Sequence, residues 1–284
     1  MAGEVVVATG GWSVPEWYPP GLPARDRLQS LGERLDAVEV DSSFYALPAA
    51  RTVRRWAEIT PERFGFSAKL HRVLSRHAAP PKSLPADLRD GVRTTDRGRV
   101  VLDEDLEAAL CARTLEAFEP LYEAGRLDCL LLQLTPAFRP GDHELTELEP
   151  LVQALAPVPV AIELRHKGWM ERRRDRTLDW FRDVGAAFVS VDAPDVEAPV
   201  AMPSDDAVTR ADLAYLRAHG RNAEGYLRGR SAAERFDYAY SKKELRELAD
   251  RARALAEDAE RVHCVLSNGG HALDSALALR EILE

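Results

Sequence analysis

Residues 37–41 read Ala37-Val-Glu-Val-Asp41 and residues 160–165 read Val160-Ala-Ile-Glu-Leu-Arg165, and each short apolar stretch becomes charged toward its carboxyl end. Similar stretches recur along the chain and alternate with longer segments of helical charge patterning. We predict eight strands from them, over residues 5–9, 37–41, 64–69, 129–134, 160–165, 187–192, 213–219 and 262–268. This alternation favours a parallel sheet, and eight repeats favour a closed (β/α)8 barrel of the TIM type over an open, doubly wound sheet.

The segments between these strands predict seven helices, over residues 25–35, 50–59, 105–124, 143–155, 174–184, 242–259 and 273–283. The clearest is the helix from residue 242, because Ser241 and Glu244 have the spacing of a capping box. Within it Leu245 and Leu248 recur at helical spacing, which predicts one apolar stripe that packs against the sheet.

Composition limits the class of protein. The chain has 284 residues, of which 45% are hydrophobic and 30% charged, and one barrel domain of roughly 250 residues or more accounts for that length. We therefore predict a single domain over residues 1–284.

The formal charge of -9 argues against broad binding to nucleic acid or to anionic membranes. Three widely separated cysteines indicate neither a disulfide framework nor a metal-binding spacing.

The location of the protein is predicted from two absences in the sequence. No apolar run reaches the ~18 residues that a membrane span requires. Residues 1–10 lack the basic start and the apolar centre of a secretion signal. We expect a cytoplasmic protein without a membrane partner, and the sequence leaves its oligomeric state open.

The polar strand ends predict where a functional site lies. Side chains alternate across a strand, so Val38 and Val40 should face the helices, while Glu39 and Asp41 face the barrel interior. The other inward ends predicted in this way are Ser67, Lys69 and His71, then Gln133, Glu163 with Arg165, Ser190 with Asp192, Arg217 with His219, and Asn268. Barrel enzymes keep their active sites at this carboxyl end, although an ion-pair network that plugs the mouth is the structural alternative.

The mixture of acids and bases indicates proton-transfer chemistry on an anion. We assign Glu39, Lys69, Glu163 and His219 as catalytic candidates, because neighbouring opposite charges tune such groups for acid–base work. Arginine suits bidentate binding of phosphate or carboxylate, so Arg165 and Arg217 should hold a small anionic substrate such as a sugar phosphate. The remaining predicted substrate contacts are Asp41, Gln133, Asp192, Asn268, Trp12 and Tyr45. The reaction would be that of an isomerase, a lyase or a hydrolase.

Aromatic residues follow the first two predicted strands. Trp12, Trp17 and Tyr18, together with Phe44 and Tyr45, predict an aromatic wall at the mouth, and ordinary loop packing around the nearby prolines is the alternative. Two long connections, residues 72–103 and 193–212, would follow strand ends, where such segments are either lids or tolerated insertions.

Two other functions stay open. Glu39, Asp41, Glu163, Asp192 and His219 are suitable ligands for a divalent ion, although no metal-specific spacing is present. They would support metal-assisted hydrolysis of a phosphodiester, in DNA for example. A non-catalytic module that binds a ligand or nucleic acid is the third hypothesis, and the acidic charge makes nucleic acid unlikely as a partner.

Ordered motifs over nearly the whole chain carry a family resemblance. They are Gly11-Trp-Ser13, Trp17-Tyr-Pro-Pro20, Val38-Glu-Val-Asp-Ser-Ser-Phe-Tyr45, Phe64-Gly-Phe-Ser-Ala-Lys69, Leu132-Gln-Leu-Thr-Pro-Ala-Phe138, Ile162-Glu-Leu-Arg-His166, Tyr215-Leu-Arg-Ala-His-Gly220 and Phe236-Asp-Tyr-Ala-Tyr-Ser241. The chain resembles YecE-like proteins, the domain of unknown function 72 family. The resemblance implies a single TIM-type barrel and no established reaction. Barrels of the xylose-isomerase and endonuclease-IV type suggest sugar, sugar-phosphate or damaged-DNA substrates by analogy alone.

This sequence departs from the usual family pattern at two strand ends. Residues 39–41 read Glu-Val-Asp where family members commonly carry Glu-Ile-Asn, and Thr135-Pro136 stands where Pro-Pro is typical. Both departures bear on the shape of the pocket and leave the fold expectation unchanged.

Overall fold

Eight parallel strands close into a barrel in the computed structural model, which describes residues 2–171, 173–198 and 201–284. The strands pair in chain order, and the last pairs with the first. They are β1 (Glu4–Gly10), β2 (Ala37–Val40), β3 (Gly65–Lys69), β4 (Leu127–Gln133), β5 (Val160–Glu163), β6 (Ala187–Asp192), β7 (Ala214–Ala218) and β8 (Arg261–Leu266). The predicted (β/α)8 barrel is confirmed.

The helices lie in the connections between the strands. They are α1 (Arg27–Gly32), α2 (Ala50–Ile59), α3 (Glu104–Glu123), α4 (Glu149–Ala154), α5 (Gly168–Glu171), α6 (Arg174–Val184), α7 (Ala223–Arg228), α8 (Ala232–Arg235), α9 (Lys242–Asp258) and α10 (Ala272–Leu283). Short 3-10 helices add Pro15–Trp17, Ala24–Asp26, Ser42–Phe44, Pro81–Ser83, Ala86–Leu88, Leu145–Leu148 and Gly269–His271. In the part of the chain that the structure describes, we find no helix with both the length and the apolar character that crossing a bilayer needs.

The helix predicted over residues 143–155 is divided. Glu144 and Glu147 form a capping box that starts a 3-10 helix, and the α-helical part begins only at Glu149. Pro150 occupies the first turn of α4, where a missing N–H is tolerated because that group has no partner within the helix. The short helices α5, α7 and α8 have no predicted counterpart, since a single turn leaves too little periodicity to detect.

The connection between β6 and β7 departs from a regular barrel unit. Its described residues, 193–198 and 201–213, contain no helix, and residues 199 and 200 of the predicted long connection lie outside the described residues. Met202 in this connection is buried and packs with side chains of the barrel interior. The long connection after β3 is likewise anchored, since Leu74, Ala79 and Leu84 are buried in the outer core.

Two hydrophobic clusters separate the inside of the barrel from its outside. The outer cluster packs the strands on the helices, as with Val38 and Val40 of β2. The inner cluster consists mainly of alternate strand residues, many of them small: Ala8, Ala37, Cys129, Leu131, Ala161, Ala187, Val189, Val191, Tyr215 and Val265. This filling leaves the two ends of the barrel to polar groups.

Asp128 occupies the amino-terminal end of the barrel and determines the residue opposite it on β3. Its carboxylate pairs with Arg261, and its Oδ2 lies 3.3 Å from His263 Nε2. A Cβ atom at Gly65 would overlap Asp128 Oδ2. Glycine at position 65 is therefore required by close approach of a charged side chain that its own partners hold in place.

We expect Gly65→Ala to lower the free energy of unfolding by roughly 1–3 kcal/mol, because either the Asp128 ion pairs or the β3 backbone must shift. Gly270→Ala is the matched control, since a Cβ there meets open space, and it should change stability by no more than about 0.5 kcal/mol. Urea unfolding of the three proteins measures both effects. Equal stability of the two variants would show that Asp128 moves freely.

Candidate active site

Five strands bring polar side chains to the carboxyl end of the barrel interior. Glu39 of β2, Lys69 of β3, Gln133 of β4, Glu163 of β5 and Arg217 of β7 converge there. The alternation predicted for these strands places their apolar neighbours against the helices, as the outer cluster requires. Asp41, Arg165 and His219 follow directly after their strands and complete the group.

Arg217 lies at the centre of this group and is fully buried. Its Nη2 donates to Glu39 Oε1 at 2.6 Å, and its Nη1 donates to Glu163 Oε2 at 2.6 Å. One guanidinium therefore bridges two carboxylates on different sides of the barrel. Because both of its terminal nitrogens are engaged, Arg217 is placed as a tether between strands and not as the ligand for a substrate anion that the sequence predicted.

Glu163 accepts hydrogen bonds from four side chains. Besides Arg217, its Oε2 faces His219 Nε2 at 3.1 Å. Its Oε1 accepts from Gln133 Nε2 at 3.0 Å and from Arg165 Nη1 at 3.1 Å. A carboxylate with this many donors is held rigidly and stays charged.

Lys69 extends the group to the opposite side of the mouth. Its Nζ lies 2.6 Å from Asp41 Oδ1 and 3.7 Å from Glu39 Oε1. The ion pairs therefore form a continuous chain of alternating charge that runs Asp41, Lys69, Glu39, Arg217, Glu163 and Arg165. We call these six residues the charge chain. Its centre is buried, whereas the side chains of Asp41, Lys69 and Arg165 are 41%, 12% and 14% exposed.

Burial and neighbouring charges fix the protonation of the buried groups. Burial would raise the pKa of Glu163, but Arg217 and His219 outweigh it and hold that pKa well below its ordinary value. Burial would lower the pKa of Arg217, but Glu39 and Glu163 raise it above its ordinary value. Burial lowers the pKa of His219 to about 4, so its imidazole is neutral at pH 7 and its Nε2–H donates to Glu163.

Glu39 differs from Glu163 in its titration. Burial raises the pKa of Glu39 above its ordinary value, and the positive charges of Arg217 and Lys69 do not fully offset this effect. The Tyr215 hydroxyl donates to Glu39 Oε2 at 2.8 Å, and Ser67 Oγ lies 2.8 Å from the same hydroxyl. Glu39 is thus the carboxyl of the buried pair that takes up a proton more readily.

A cavity of about 410 Å³ adjoins Arg165 at this end of the barrel. Residues from the connections after β4, β5 and β7 line it, including Pro136 and Phe236. The Phe236 ring lies 5.1 Å from the His219 ring, and the guanidinium carbon of Arg165 lies 5.9 Å from the Phe236 centroid. The Phe236 ring therefore lies between the buried His219 side chain and the cavity.

His77 and Arg72 lie beside Phe44 on the side of the mouth that follows β3. His77 lies edge-on to Phe44, with 5.0 Å between ring centroids, and its Nε2 contacts the Gln133 carbonyl at 3.2 Å. Burial lowers the pKa of His77, and the positive charges of Arg165 and Arg72 lower it further. The imidazole of His77 is therefore neutral at pH 7 and adds no positive charge to the mouth.

Two predicted site residues are on the wrong face. Asp192 was expected inside the barrel, but Val191 points inward and Asp192 lies on the outer face. There its Oδ1 accepts from Arg251 of α9 at 2.9 Å, and its Oδ2 accepts from the Tyr240 hydroxyl at 2.7 Å. Strand β6 is buried on both faces, so apolar alternation gave the expectation no support, and the carboxylate finds its cations outside.

Asn268 is the second correction. Its Nδ2 donates to the Tyr238 carbonyl at 2.8 Å and to Ser275 Oγ at 3.0 Å, which fixes the connection before α10. Strand β8 ends at Leu266, and the inward residue that follows is Ser267, which accepts from Arg217 Nη2 at 3.3 Å. The inward expectation for His71 is likewise wrong, because its Nε2 contacts the Ser83 carbonyl at 2.9 Å, away from the charge chain.

The predicted aromatic wall is divided. Trp12 packs edge-on against Trp56 of α2 with ring centroids 5.4 Å apart, and Trp17 Nε1 donates to the Gly270 carbonyl at 2.6 Å. Tyr45 is 63% exposed and lines a separate groove beside the 72–103 connection. Neither Trp12 nor Tyr45 contacts the charge chain, so their predicted role in substrate binding has no support from position.

Three site residues were missed, although alternation could have found them. Tyr215 precedes Arg217 by two positions, so it shares the inward face. Ser67 precedes Lys69 in the same way and was noted without a role. Ser267 shares the inward face of β8 with His263 and Val265. The prediction instead chose the next residue, the polar Asn268, as the inward end of this strand.

The donor set does not fit the divalent ion that the sequence left open. In the described ranges, no three His, Cys, Asp or Glu side chains are arranged to hold a metal ion. Glu39 and Glu163 direct their oxygens at cationic side chains, and Asp192 lies outside the barrel.

Comparisons with known proteins place this chain in a wider group. A family model described as "Protein of unknown function DUF72" matches residues 6–284. The UPF0759 protein YunF of Bacillus subtilis is 24% identical over 292 residues, which cover 99% of this chain and 95% of that protein. The UPF0759 protein YecE of Escherichia coli K12 is 34% identical over 68 residues, which cover 24% of each chain.

Solved structures share the fold. A DUF72 family protein from Enterococcus faecalis matches with a TM-score of 0.82 and 23% identity, covering 99% of this chain and 95% of that one. A DUF72 family protein from Thermotoga maritima matches with a TM-score of 0.78 and 26% identity, covering 98% of both chains.

We expect Arg217→Met to lower the free energy of unfolding by about 3–5 kcal/mol, because it leaves Glu39 and Glu163 buried without their shared cation. Arg113→Met is the matched control, since Arg113 also pairs with two carboxylates, Asp87 and Glu116, but at the surface. Chemical unfolding should show a much smaller loss for the control. Similar losses in the two variants would contradict the central role of Arg217.

The stability of the protein should fall as the pH is lowered from about 6.5 toward 4. The folded pKa of His219, about 4, lies below its ordinary value of 6.5, so the unfolded chain binds the proton first. The full contribution is on the order of 3 kcal/mol, present above pH 6.5 and lost as the pH falls through this window.

The measurement compares unfolding free energies of the wild type and His219→Gln between about pH 6.5 and 5, where Glu163 contributes little. The variant should depend less on pH than the wild type. His143→Gln, which changes a partly exposed histidine outside the barrel mouth, is the control and should show the pH dependence of the wild type. An equal slope in His219→Gln would show that this imidazole is not held neutral by burial.

Proposed function

Because this chain belongs to the DUF72 family, as its motifs predicted, and that family is described as one of unknown function, we propose its activity from the geometry of the barrel mouth. The protein is an enzyme that performs general acid–base chemistry on a small polar anion of the sugar-phosphate or carboxylate class. The substrate binds over Lys69 and Arg165, the two partly exposed cations of the charge chain.

The observation that carries this proposal is the exposure of two oriented cations. Lys69 and Arg165 are the partly exposed cations of the charge chain, and each is held by a carboxylate behind it. Arg165 also lines the cavity of about 410 Å³, within the roughly 300–1,000 Å³ range of small-molecule sites. An anion at the mouth therefore meets two oriented cations without displacing the buried pairs.

A purely structural plug explains these features less well. Replacing a buried ion-pair network by apolar residues is often neutral or stabilising, so such a network is weak evidence of a stability role. A plug would also give no reason for Arg165 to line a cavity or for Lys69 to reach solvent. Strained or costly charge arrangements concentrate where chemistry uses them.

The geometry assigns different tasks to the predicted catalytic residues. Lys69 is the group that exchanges a proton with the substrate, because it is the partly exposed proton-transfer group of the set. Glu39, whose pKa is raised, lies 3.7 Å behind it and is positioned to return or accept that proton. Arg165 binds the anionic group of the substrate.

Glu163 and His219 act through other residues in this proposal. Glu163 is charged and saturated with donors, which suits a group that orients Arg165 and Arg217. His219 is neutral and buried behind Phe236, where it holds Glu163 by a hydrogen bond. Proton transfer is therefore proposed for Lys69 and Glu39, and positioning for Glu163 and His219.

Solvent deuterium exchange tests the proposal without knowledge of the net reaction. The protein is incubated in D2O with a panel of sugar phosphates and of hydroxy and keto acids, and NMR detects the loss of carbon-bound protons. The wild type should catalyse exchange into at least one compound, and Lys69→Met should slow it by about 100-fold or more. Lys243→Met, on the exposed face of α9, is the matched control and should retain the wild-type rate.

Circular dichroism establishes that each variant is folded before the rates are compared. Exchange at the wild-type rate in folded Lys69→Met would contradict the role of Lys69. Binding of an anion to the wild type without exchange into any compound would favour the non-catalytic module instead.

A further inference from the structure

We propose that the cavity beside Arg165 selects a substrate in which the anionic group is joined to a flat apolar group, such as an aromatic ring. This inference rests on the proposed function, because it concerns the substrate of the same site. It names a feature of the substrate that the charge chain alone does not require.

The cationic wall of the cavity has few internal partners. Arg165, Arg230 and Arg235 line it, together with Ser231, and no acidic residue is among its described lining. Over the ranges that the structure describes, neither Arg230 nor Arg235 has a carboxylate within salt-bridge distance, whereas Arg165 pairs with Glu163. In a chain with 47 acidic and 38 basic residues, this local excess of positive charge indicates a site for an anion.

Another part of the cavity wall is aromatic and apolar. Phe236, Tyr226 and Leu227 line it, and Leu227 is 58% exposed. The rings of Tyr226 and Phe236 have centroids 6.3 Å apart with planes at 62°. An inorganic anion gains no favourable contact with apolar side chains, whereas a planar apolar group gains contact area and ring stacking on them.

Phe236 connects the cavity to the reacting groups. One side of its ring faces His219 at 5.1 Å, and the Arg165 guanidinium carbon lies 5.9 Å from its centroid. An anion on Arg165 therefore places its substituent beside Phe236.

The aromatic part of the cavity wall, with Phe236 and Tyr226, is held in position before a ligand binds. Asn222 Oδ1 accepts from the Gly225 N–H at 2.8 Å, and its Nδ2 donates to the Asp237 carbonyl at 3.0 Å, which closes the 222–237 segment on itself. Tyr240 ties the end of this segment to Asp192 with a hydrogen bond of 2.7 Å. A wall fixed in this way loses little conformational entropy on binding.

Isothermal titration with phenyl phosphate and with inorganic phosphate tests the inference on the full chain. The wild type should bind phenyl phosphate about tenfold more tightly than inorganic phosphate. Phe236→Ala should abolish this preference and leave the affinity for inorganic phosphate unchanged. Phe236→Leu should also abolish the preference. It keeps most of the side-chain volume, so it tests the inference even if Phe236→Ala fails to fold.

The arginines are tested by a paired change. The double variant Arg230→Gln and Arg235→Gln should weaken binding of both compounds by about tenfold or more. Arg228→Gln is the control, because Arg228 is exposed, pairs with Glu224 and does not line the cavity. It should bind both compounds as the wild type does.

Equal affinity of the wild type for the two compounds would overturn the inference, as would a preference that survives both Phe236 variants or binding that ignores the arginine pair. Lys69→Met separates this inference from the proposed function. The preference for phenyl phosphate should persist in that variant, so a failure of proton exchange and a failure of this site give different results.

Discussion

The carboxyl end of this barrel depends on one guanidinium that bridges two buried carboxylates. Arg217 bonds Glu39 and Glu163 at 2.6 Å each, and so connects β7 to β2 and to β5 through the barrel interior. Two carboxylates and a guanidinium are costly to remove from water, and the arrangement is stable only because each oxygen and terminal nitrogen has a partner. That requirement explains the surrounding donors: Tyr215 on Glu39, and Gln133, Arg165 and His219 on Glu163. Lys69 and Arg165 are oriented at the surface by the same carboxylates.

A second network of charges lies on the outer face at the same end. Asp192 accepts from Arg251 of α9 and from Arg221, and Arg251 continues to Asp206 in the connection after β6. Through Tyr240 this network also holds the segment that carries Phe236. The charge chain, which is the inner network, and this outer network therefore have different roles at the same site. The inner network orients the groups proposed for acid–base chemistry, and the outer network fixes the wall against which a substrate would rest.

Sequence alternation located the inner network where one face of a strand is clearly apolar. In β2, β5 and β7 the helix-facing positions are Val38, Ile162 and Leu216, so the polar residues between them could only point inward. In β6 and β8 both faces of the strand are buried, so burial did not distinguish them, and the polar residue at the end was assigned to the wrong face. Asp192 and Asn268 both find hydrogen-bonding partners outside the barrel, which a single sequence does not reveal. Short helices such as α7 and α8 were missed for another reason, since six and four residues make fewer than two helical turns, too few to show a repeat.

The sequence by itself determined the strand and helix order, the closed barrel, and the inward face of most strand ends, because these follow from local periodicity and from the chemistry of apolar burial. Only the tertiary structure decided which charges meet. Glu39 and Arg217 are 178 residues apart in the chain, and their contact depends on how the strands are staggered around the barrel. Burial then separates groups that look alike in sequence: the pKa of Glu39 is raised and that of Glu163 is lowered, because Glu163 gathers more donors. The burial and the donors around each carboxylate determine its chemical role, and both exist only once distant strands have closed into the barrel.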